Sequence, residues 1–275
     1  MGNFSDRISK RCVYSSKNGT GFCVICGNFG DLSFDHVPPQ GSVVITKTEQ
    51  RLITESTIDT FKEIKGAVSR NGSKFRTICK KCNGLLSFGD NEIARIYQSL
   101  TPVIKQYFES PFEPYSFKKI KIDAKKYIRS MIGHILSATS EAECKTEQIE
   151  TPYFGPLRRF VLGDDKAISE THQIYYWFYP LKQHISAKMI SIGSRTNFCS
   201  MSLLSFFPIA FLVVEKNNCI VPSFAQRIDI NDEYLVINLS LQSFEYVTFP
   251  FVEYKDNLFS LYKDELCIVS YPVGR

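Results

Sequence analysis

The chain has 275 residues, 44% of them hydrophobic and 22% charged, a composition typical of a globular protein and unlike that of a disordered one. The net charge of +5 is uneven, with 21 Lys or Arg against 12 Asp or Glu through Ser140, and 12 against 16 from Glu141 onward. The longest apolar run, residues 201–214, is shorter than the roughly 20 residues that cross a bilayer, so it predicts buried strand and no membrane span.

The cysteines and the first residues bear on the cellular compartment. Of nine cysteines, four form two C-x2-C pairs, and the other five are scattered, an odd number without the spacing of a disulfide framework. The scattered ones are Cys12, Cys144, Cys199, Cys219 and Cys267. Residues 1–11 are polar and charged and lack the apolar core of a signal peptide. We therefore expect a reduced, cytoplasmic protein.

Two cysteine pairs open and close one segment of the chain. Cys23 and Cys26 form the first pair, and Cys79 and Cys82 form the second. Four thiolates from two such pairs make a closed tetrahedral zinc site of the structural kind. The spacing therefore predicts a structural zinc ion that holds the two ends of the segment together.

Polar residues suited to catalysis lie inside this segment and directly after it. Asp35 and His36 end a predicted strand over residues 31–36, because the following Pro38 and Pro39 have no N–H for a strand ladder. Asn83 follows the last cysteine directly. A zinc clamp would bring an acid, an imidazole and an amide together, which indicates a reaction centre more than a folding device.

The order C-x2-C, Asp-His-x-Pro, C-x2-C-Asn resembles the HNH endonuclease family, the ββα-metal nucleases, in its zinc-stapled tetracysteine form. The likeness covers the first third of the chain. It implies a hairpin whose second strand runs into the second cysteine pair, followed by a helix that starts there. It also implies that His36 is the general base, that Asp35 and Asn83 hold a catalytic divalent ion such as Mg2+, and that the zinc is structural.

One position of the family pattern differs in this chain. The family often has an Asn a few residues before the second cysteine pair, where it orients the catalytic His, and Lys74 stands there instead. Either Asn71 takes this role through a shifted turn, or a backbone carbonyl does. Lys74, Lys80 and Lys81 are candidates for nucleic-acid binding, because basic side chains make many of the contacts to phosphates.

Further elements are predicted around and after this motif. Residues 40–70 are an insertion between the first strand and the second, Lys74–Cys79, and they combine a strand-like piece at 42–46 with a helical piece at 57–68. Beyond Asn83 an apolar stripe predicts a helix. Thr101 and Pro102 then have the pattern of an N-cap and first helical residue, which predicts the start of a second helix.

The chain changes character after residues 110–114, the best linker candidate. Asp123 is predicted to cap a helix with one apolar face, and His134 lies beside that face, where a partnered structural histidine is expected. From residue 151 onward, short runs of β-branched and aromatic residues alternate with polar turns, a pattern typical of strands.

These patterns predict an α+β fold. Residues 1–110 would form an HNH-like nuclease domain with a zinc site, and residues 115–275 a helix and a β-rich domain of unknown role. The expected function is metal-dependent hydrolysis of DNA, to which the basic first part of the chain is suited. Expected associations are a homodimer and a regulatory partner of the C-terminal domain, as in an anti-phage defence effector. The alternative is a non-catalytic zinc-stapled module that binds nucleic acid or protein.

Overall fold

The computed structural model describes residues 19–43, 47–53, 66–69, 72–110, 112–193, 198–216, 220–240, 246–251, 259–262 and 267–272. For residues 259–262 it describes the backbone alone. The fold combines helix and sheet, as the α+β prediction expected. No helix in these ranges is long and apolar enough to cross a membrane.

A three-stranded antiparallel sheet carries the cysteine-bracketed motif. Its strands are β1 (Thr20–Phe22), β2 (Phe29–His36) and β5 (Lys74–Cys79), with β2 in the centre. The pairing of β2 with β5 shifts register between Ser33 and Asp35, so the sheet is irregular just before His36. The predicted strand Lys74–Cys79 is confirmed to the residue, and the predicted strand 31–36 begins two residues earlier.

One long helix, α1 (Lys80–Glu109), starts directly at the end of β5. Its buried side chains recur at helical spacing and face the core; they include Leu86, Ile93, Ile96, Leu100 and Ile104. The prediction of a second helix starting at Thr101 is wrong, because Pro102 lies inside α1. The Thr101 hydroxyl donates to the Tyr97 carbonyl at 2.7 Å, so the side chain contacts the preceding turn instead of capping a new one.

A second helix, α2 (Ala124–Ser137), packs against α1. The predicted cap is confirmed: the Asp123 carboxylate accepts from the Lys126 amide at 3.1 Å. Gly89 of α1 faces backbone and side chain of α2, and a Cβ there would lie 2.4 Å from the Lys126 carbonyl. Gly133 of α2 in turn faces the Leu86 side chain, which would lie 2.1 Å from a Cβ. Gly89 is therefore required by the close approach of the two helices, because a Cβ there would meet backbone, whereas at Gly133 only the Leu86 side chain would have to move.

The β-rich part forms a nine-stranded sheet. Eight strands follow the order β11-β7-β10-β9-β8-β14-β3-β4, and β13 pairs with β8. The bounds are β3 (Thr48–Leu52), β4 (Ala67–Ser69), β7 (His172–Phe178), β8 (His184–Gly193), β9 (Phe198–Phe206), β10 (Ile209–Glu215), β11 (Gln226–Ile228), β13 (Phe259–Tyr262) and β14 (Cys267–Pro272). The apolar run at 201–214 is buried strand, as predicted, and it consists of two paired strands, β9 and β10.

Smaller elements connect the sheet to the helices. A two-stranded ribbon joins β6 (Phe117–Lys121) to β12 (Tyr234–Asn238). A 3-10 helix (Glu141–Lys145) and α3 (Phe154–Val161) follow α2. The 3-10 helix contacts β1 and β5, so the C-terminal part of the chain also packs on the cysteine-bearing sheet.

The apolar core runs across the predicted domain boundary. One cluster of buried residues extends from Cys23 to Ile268 and includes side chains of α1, α2, β7 and β10. Within the insertion, β3 pairs with β14 near the C-terminus. Residues 67 and 68, predicted as the end of a helix, lie in β4, while 44–46 and 54–65 lie outside the described residues. The division into domains at 110–115 stays a prediction about folding units.

Candidate metal centre and active site

Four cysteine sulfurs converge where the hairpin meets α1. The Sγ atoms of Cys23, Cys26, Cys79 and Cys82 lie within 4.8 Å of one another, an arrangement that suits a metal ion such as zinc. The Cys26 and Cys79 sulfurs are 3.9 Å apart. This separation is close to the edge of a tetrahedron with zinc–sulfur bonds of about 2.3 Å, roughly 3.8 Å.

Local backbone contacts fix these cysteines in place. The first pair lies in the turn between β1 and β2, where the Gly27 amide donates to the Cys23 carbonyl at 2.8 Å. Cys79 ends β5, and Cys82 lies in the first turn of α1. The Val24 amide donates to the Thr77 carbonyl at 3.0 Å, which ties the first turn to β5. The centre therefore joins strand, turn and helix, as the spacing predicted.

His36 is half-buried at the end of β2, where it pairs across the hairpin with Lys74. Its Nε2 lies 3.0 Å from the side-chain nitrogen of Gln40. An amide has both a donor and an acceptor, so Gln40 matches either tautomer of the ring. Asn71, one of two predicted orienting groups, lies outside the described residues. Sequence reasoning missed Gln40, whose one signal is its place four residues after the histidine.

Asn83 lies in the first turn of α1 and is bound to β2. Its side-chain nitrogen donates to the Phe34 carbonyl at 2.8 Å and to the Ser33 hydroxyl at 3.2 Å. Both partners immediately precede Asp35 and His36 in the chain. The start of the helix is thereby held against the strand that carries the predicted acid and base.

Asp35 is buried, with 3% of its surface exposed. Its Oδ2 accepts from the Ser137 hydroxyl at 2.5 Å and lies 2.9 Å from His134 Nδ1. Both partners belong to α2, about a hundred residues later in the chain. The carboxylate that the motif predicts as a metal ligand is therefore held by a helix outside the cysteine-bracketed segment.

His134 connects two carboxylates through its two ring nitrogens. It is fully buried, with Nδ1 at Asp35 and Nε2 at 2.8 Å from Asp90 Oδ1. Burial alone would lower the pKa of this imidazole, but the neighbouring charges of Asp35 and Asp90 outweigh it and raise the pKa to about 10. The ring is therefore cationic at neutral pH. The prediction of a partnered structural histidine is confirmed, whereas Asp90 and Ser137 were not anticipated.

The three predicted phosphate-binding lysines lie at the two ends of β5. Lys74 is half-buried on β5, and Lys80 and Lys81 are exposed in the first turn of α1. No acidic residue lies in that turn. A positive helix terminus with added lysines attracts anions. Their contact with nucleic acid stays a prediction.

No protein-family model, curated protein or solved structure matches this chain.

Proposed function

We propose that this chain is a metal-dependent endonuclease of the HNH type that hydrolyses phosphodiester bonds in DNA. The observation that carries the proposal is the hairpin of β2 and β5 leading into α1, clasped by four cysteines. This arrangement has Asp35 and His36 at one strand end and Asn83 in the adjoining helical turn. Two hydrogen bonds from Asn83 to β2 support a shared location for these three side chains.

His36 is the proposed general base. A neutral imidazole takes a proton from water, and the resulting nucleophile attacks the phosphorus. Gln40 restrains the ring through Nε2. Lys74, which pairs with His36 across the strands, would hold a phosphate of the substrate strand next to the base, and Lys80 and Lys81 would hold others at the start of α1.

Asp35 and Asn83 are the proposed ligands of a hard divalent cation such as Mg2+. The contacts of Asp35 use Oδ2, and those of Asn83 use its nitrogen, so each residue retains an oxygen as ligand atom. A carboxylate and an amide oxygen suit Mg2+, which keeps several waters and binds substrate phosphate. When bound, the ion would neutralise charge on the phosphate and the leaving oxygen.

The four cysteines would bind zinc in a structural role. Four thiolates leave zinc without an open coordination position, which separates this site from the proposed Mg2+ site. The zinc would hold the hairpin and α1 together, and with them the proposed catalytic residues.

Nicking of supercoiled plasmid by the zinc-loaded protein tests the proposal. We expect cleavage with Mg2+ that EDTA abolishes, and at least a ~100-fold loss for His36→Ala, since a general base contributes about that much or more. Thermal unfolding and zinc content of this variant should match the wild type. Cleavage by His36→Ala at the wild-type rate would remove the mechanism.

A matched pair of asparagines on α1 tests the cation ligand. Asn83→Ala should lose cleavage and require more Mg2+. Asn91→Ala, at an exposed position two turns further along α1, should behave as the wild type. Equal loss in both variants would point to the helix as a whole and not to a ligand.

One observation favours a second candidate, a non-catalytic zinc-stapled module that binds nucleic acid. Asp35 is buried and already accepts two hydrogen bonds, as a purely structural carboxylate would. Such a module would bind DNA equally well with and without Mg2+ and would not cleave it with any divalent ion. A homodimer, a regulatory partner and a defence role stay predictions.

A further inference from the structure

His134 of α2 lies between the two elements that carry the proposed cation ligands. On one side it contacts Asp35 of β2, and on the other it contacts Asp90 of α1, the helix that begins with Asn83. Asn83 and Asp90 are seven residues apart, close to two helical turns, so they lie on nearly the same face of α1. One side chain thus connects the strand of the first ligand to the helix of the second.

The contacts at Asp35 restrict the carboxylate to one orientation. His134 and Ser137 both bind Oδ2, from positions three residues apart on α2. Rotation of the carboxylate would break both bonds at once. Oδ1 is consequently the oxygen held ready for a cation, in a direction set by α2.

Asp90, at the other end of the hydrogen-bond network formed by Asp35, His134 and Asp90, is held in place as well. Asp90 Oδ1 accepts from the Ser130 hydroxyl at 2.6 Å as well as lying next to His134. The glycine contacts described above, at Gly89 and Gly133, lie immediately beside Asp90 and His134 in the two helices. The close packing of α1 against α2 and the hydrogen bonds of Asp90 and His134 therefore lie at the same point along the two helices. Together they leave little freedom for α1 to shift relative to β2.

We propose that His134 is a positioning residue for the divalent-cation site, fixing Asp35 and the helix that carries Asn83 in a geometry that binds the ion. This inference rests on the proposed function. It assigns a part of the site to α2, which contributes no ligand and lies outside the sequence motif. Residues that orient metal ligands from behind typically change metal affinity by 10–100-fold when they are replaced.

Binding of Mn2+ to the zinc-loaded full-length protein, followed by electron paramagnetic resonance without nucleic acid, tests this inference. We expect His134→Gln to weaken Mn2+ binding at least about tenfold while zinc content and the circular dichroism spectrum stay unchanged. His172→Gln is the matched control, because His172 is another buried histidine, located in β7 next to Thr171. The control should bind Mn2+ as the wild type does.

If His134→Gln does not fold, Ser137→Ala tests the positioning role instead. It removes the second donor to Asp35 Oδ2 and leaves the imidazole in place. We expect a loss of Mn2+ affinity smaller than that for His134→Gln, and restoration of binding in Ser137→Thr, which keeps the hydroxyl.

The outcomes separate this inference from the proposed function. Wild-type Mn2+ affinity in His134→Gln, or in Ser137→Ala where only that variant folds, would overturn the positioning role and leave the nuclease proposal standing. A wild-type protein that binds no Mn2+ beyond its zinc site and cleaves no DNA would overturn both.

Discussion

Buried polar groups are arranged differently in two regions of the molecule. One region is the cysteine-clasped hairpin with α1 and α2, and the other is the nine-stranded sheet. In the first region Asp35, His134 and Asp90 form a connected chain of hydrogen bonds between three elements. Two buried ionisable groups of the sheet, Lys188 and His172, lie in simpler surroundings. Lys188 of β8 pairs with Glu143 at 3.0 Å, and His172 of β7 contacts Thr171 through Nδ1, while its Nε2 has no hydrogen-bond partner among the residues that the structure describes.

The two regions also shift histidine pKa values in opposite directions. Two carboxylates raise the pKa of His134 to about 10, whereas burial without a charged partner lowers the pKa of His172 to about 4. Burial is common to both residues, so the partners decide the charge state. The first region thus holds a buried imidazole between two carboxylates, and this is where the sequence motif predicts chemistry.

The largest expected effect is the loss of a metal-binding cysteine. Cys79→Ala should lose zinc and unfold the hairpin region, because structural zinc contributes on the order of 10 kcal/mol of folding free energy in small zinc domains. Cys199→Ala, a buried cysteine of the sheet, is the control and should cost about 1 kcal/mol. Metal content and thermal unfolding check both variants. Equal stability of the two would contradict a metal-dependent fold.

The next largest effect is the loss of stability when a buried ion pair is removed from each of the two regions. His134→Leu leaves Asp35 buried without its cation and should lower the free energy of unfolding by about 3–5 kcal/mol. Lys188→Met leaves Glu143, whose side chain is 26% exposed and rehydrates, so the loss should be about 1 kcal/mol or less. Urea denaturation measures both. A larger loss for Lys188→Met would show that the single ion pair of the sheet contributes more stability than the His134 network.

The smallest effect is the pH dependence that His172 contributes. Its pKa of about 4 in the folded state lies below the unfolded value of about 6.5, so protonation favours the unfolded chain. His172 should therefore contribute a loss of stability between pH 6.5 and pH 4 of about 2 kcal/mol at pH 5, in addition to that of His184, whose pKa burial also lowers to about 4. His172→Gln should flatten this part of the curve of unfolding free energy against pH. An unchanged slope would show that another group titrates there.

His134 has the opposite linkage. Because its folded pKa is raised, its contribution to stability is complete below pH 6.5 and is lost as pH rises toward 10. In a plot of unfolding free energy against pH, His172 therefore lowers stability on the acidic side and the contribution of His134 is lost on the basic side.

Much of the local structure could be predicted from the sequence. Strand β5, the cap at Asp123 and the buried strand at 201–214 depend on residue type and spacing along a short stretch. The cysteine pairs were recognisable for the same reason. Predictions from neighbouring residues failed where packing opposed them. Thr101 and Pro102 predicted the start of a new helix, but the buried face of α1 continues to Ile104 and the helix accommodates the proline.

The sequence by itself determined the four-cysteine centre, the order of Asp35, His36 and Asn83 and the strand-rich character of the second half, since each is written in neighbouring residues. Only the tertiary structure decided that His134 joins Asp35 to Asp90, that Gln40 contacts His36, and that β3 pairs with β14. The reason is physical: Asp35 and His134 are 99 residues apart, and no periodicity or spacing relates them until helix packing brings α2 against the hairpin.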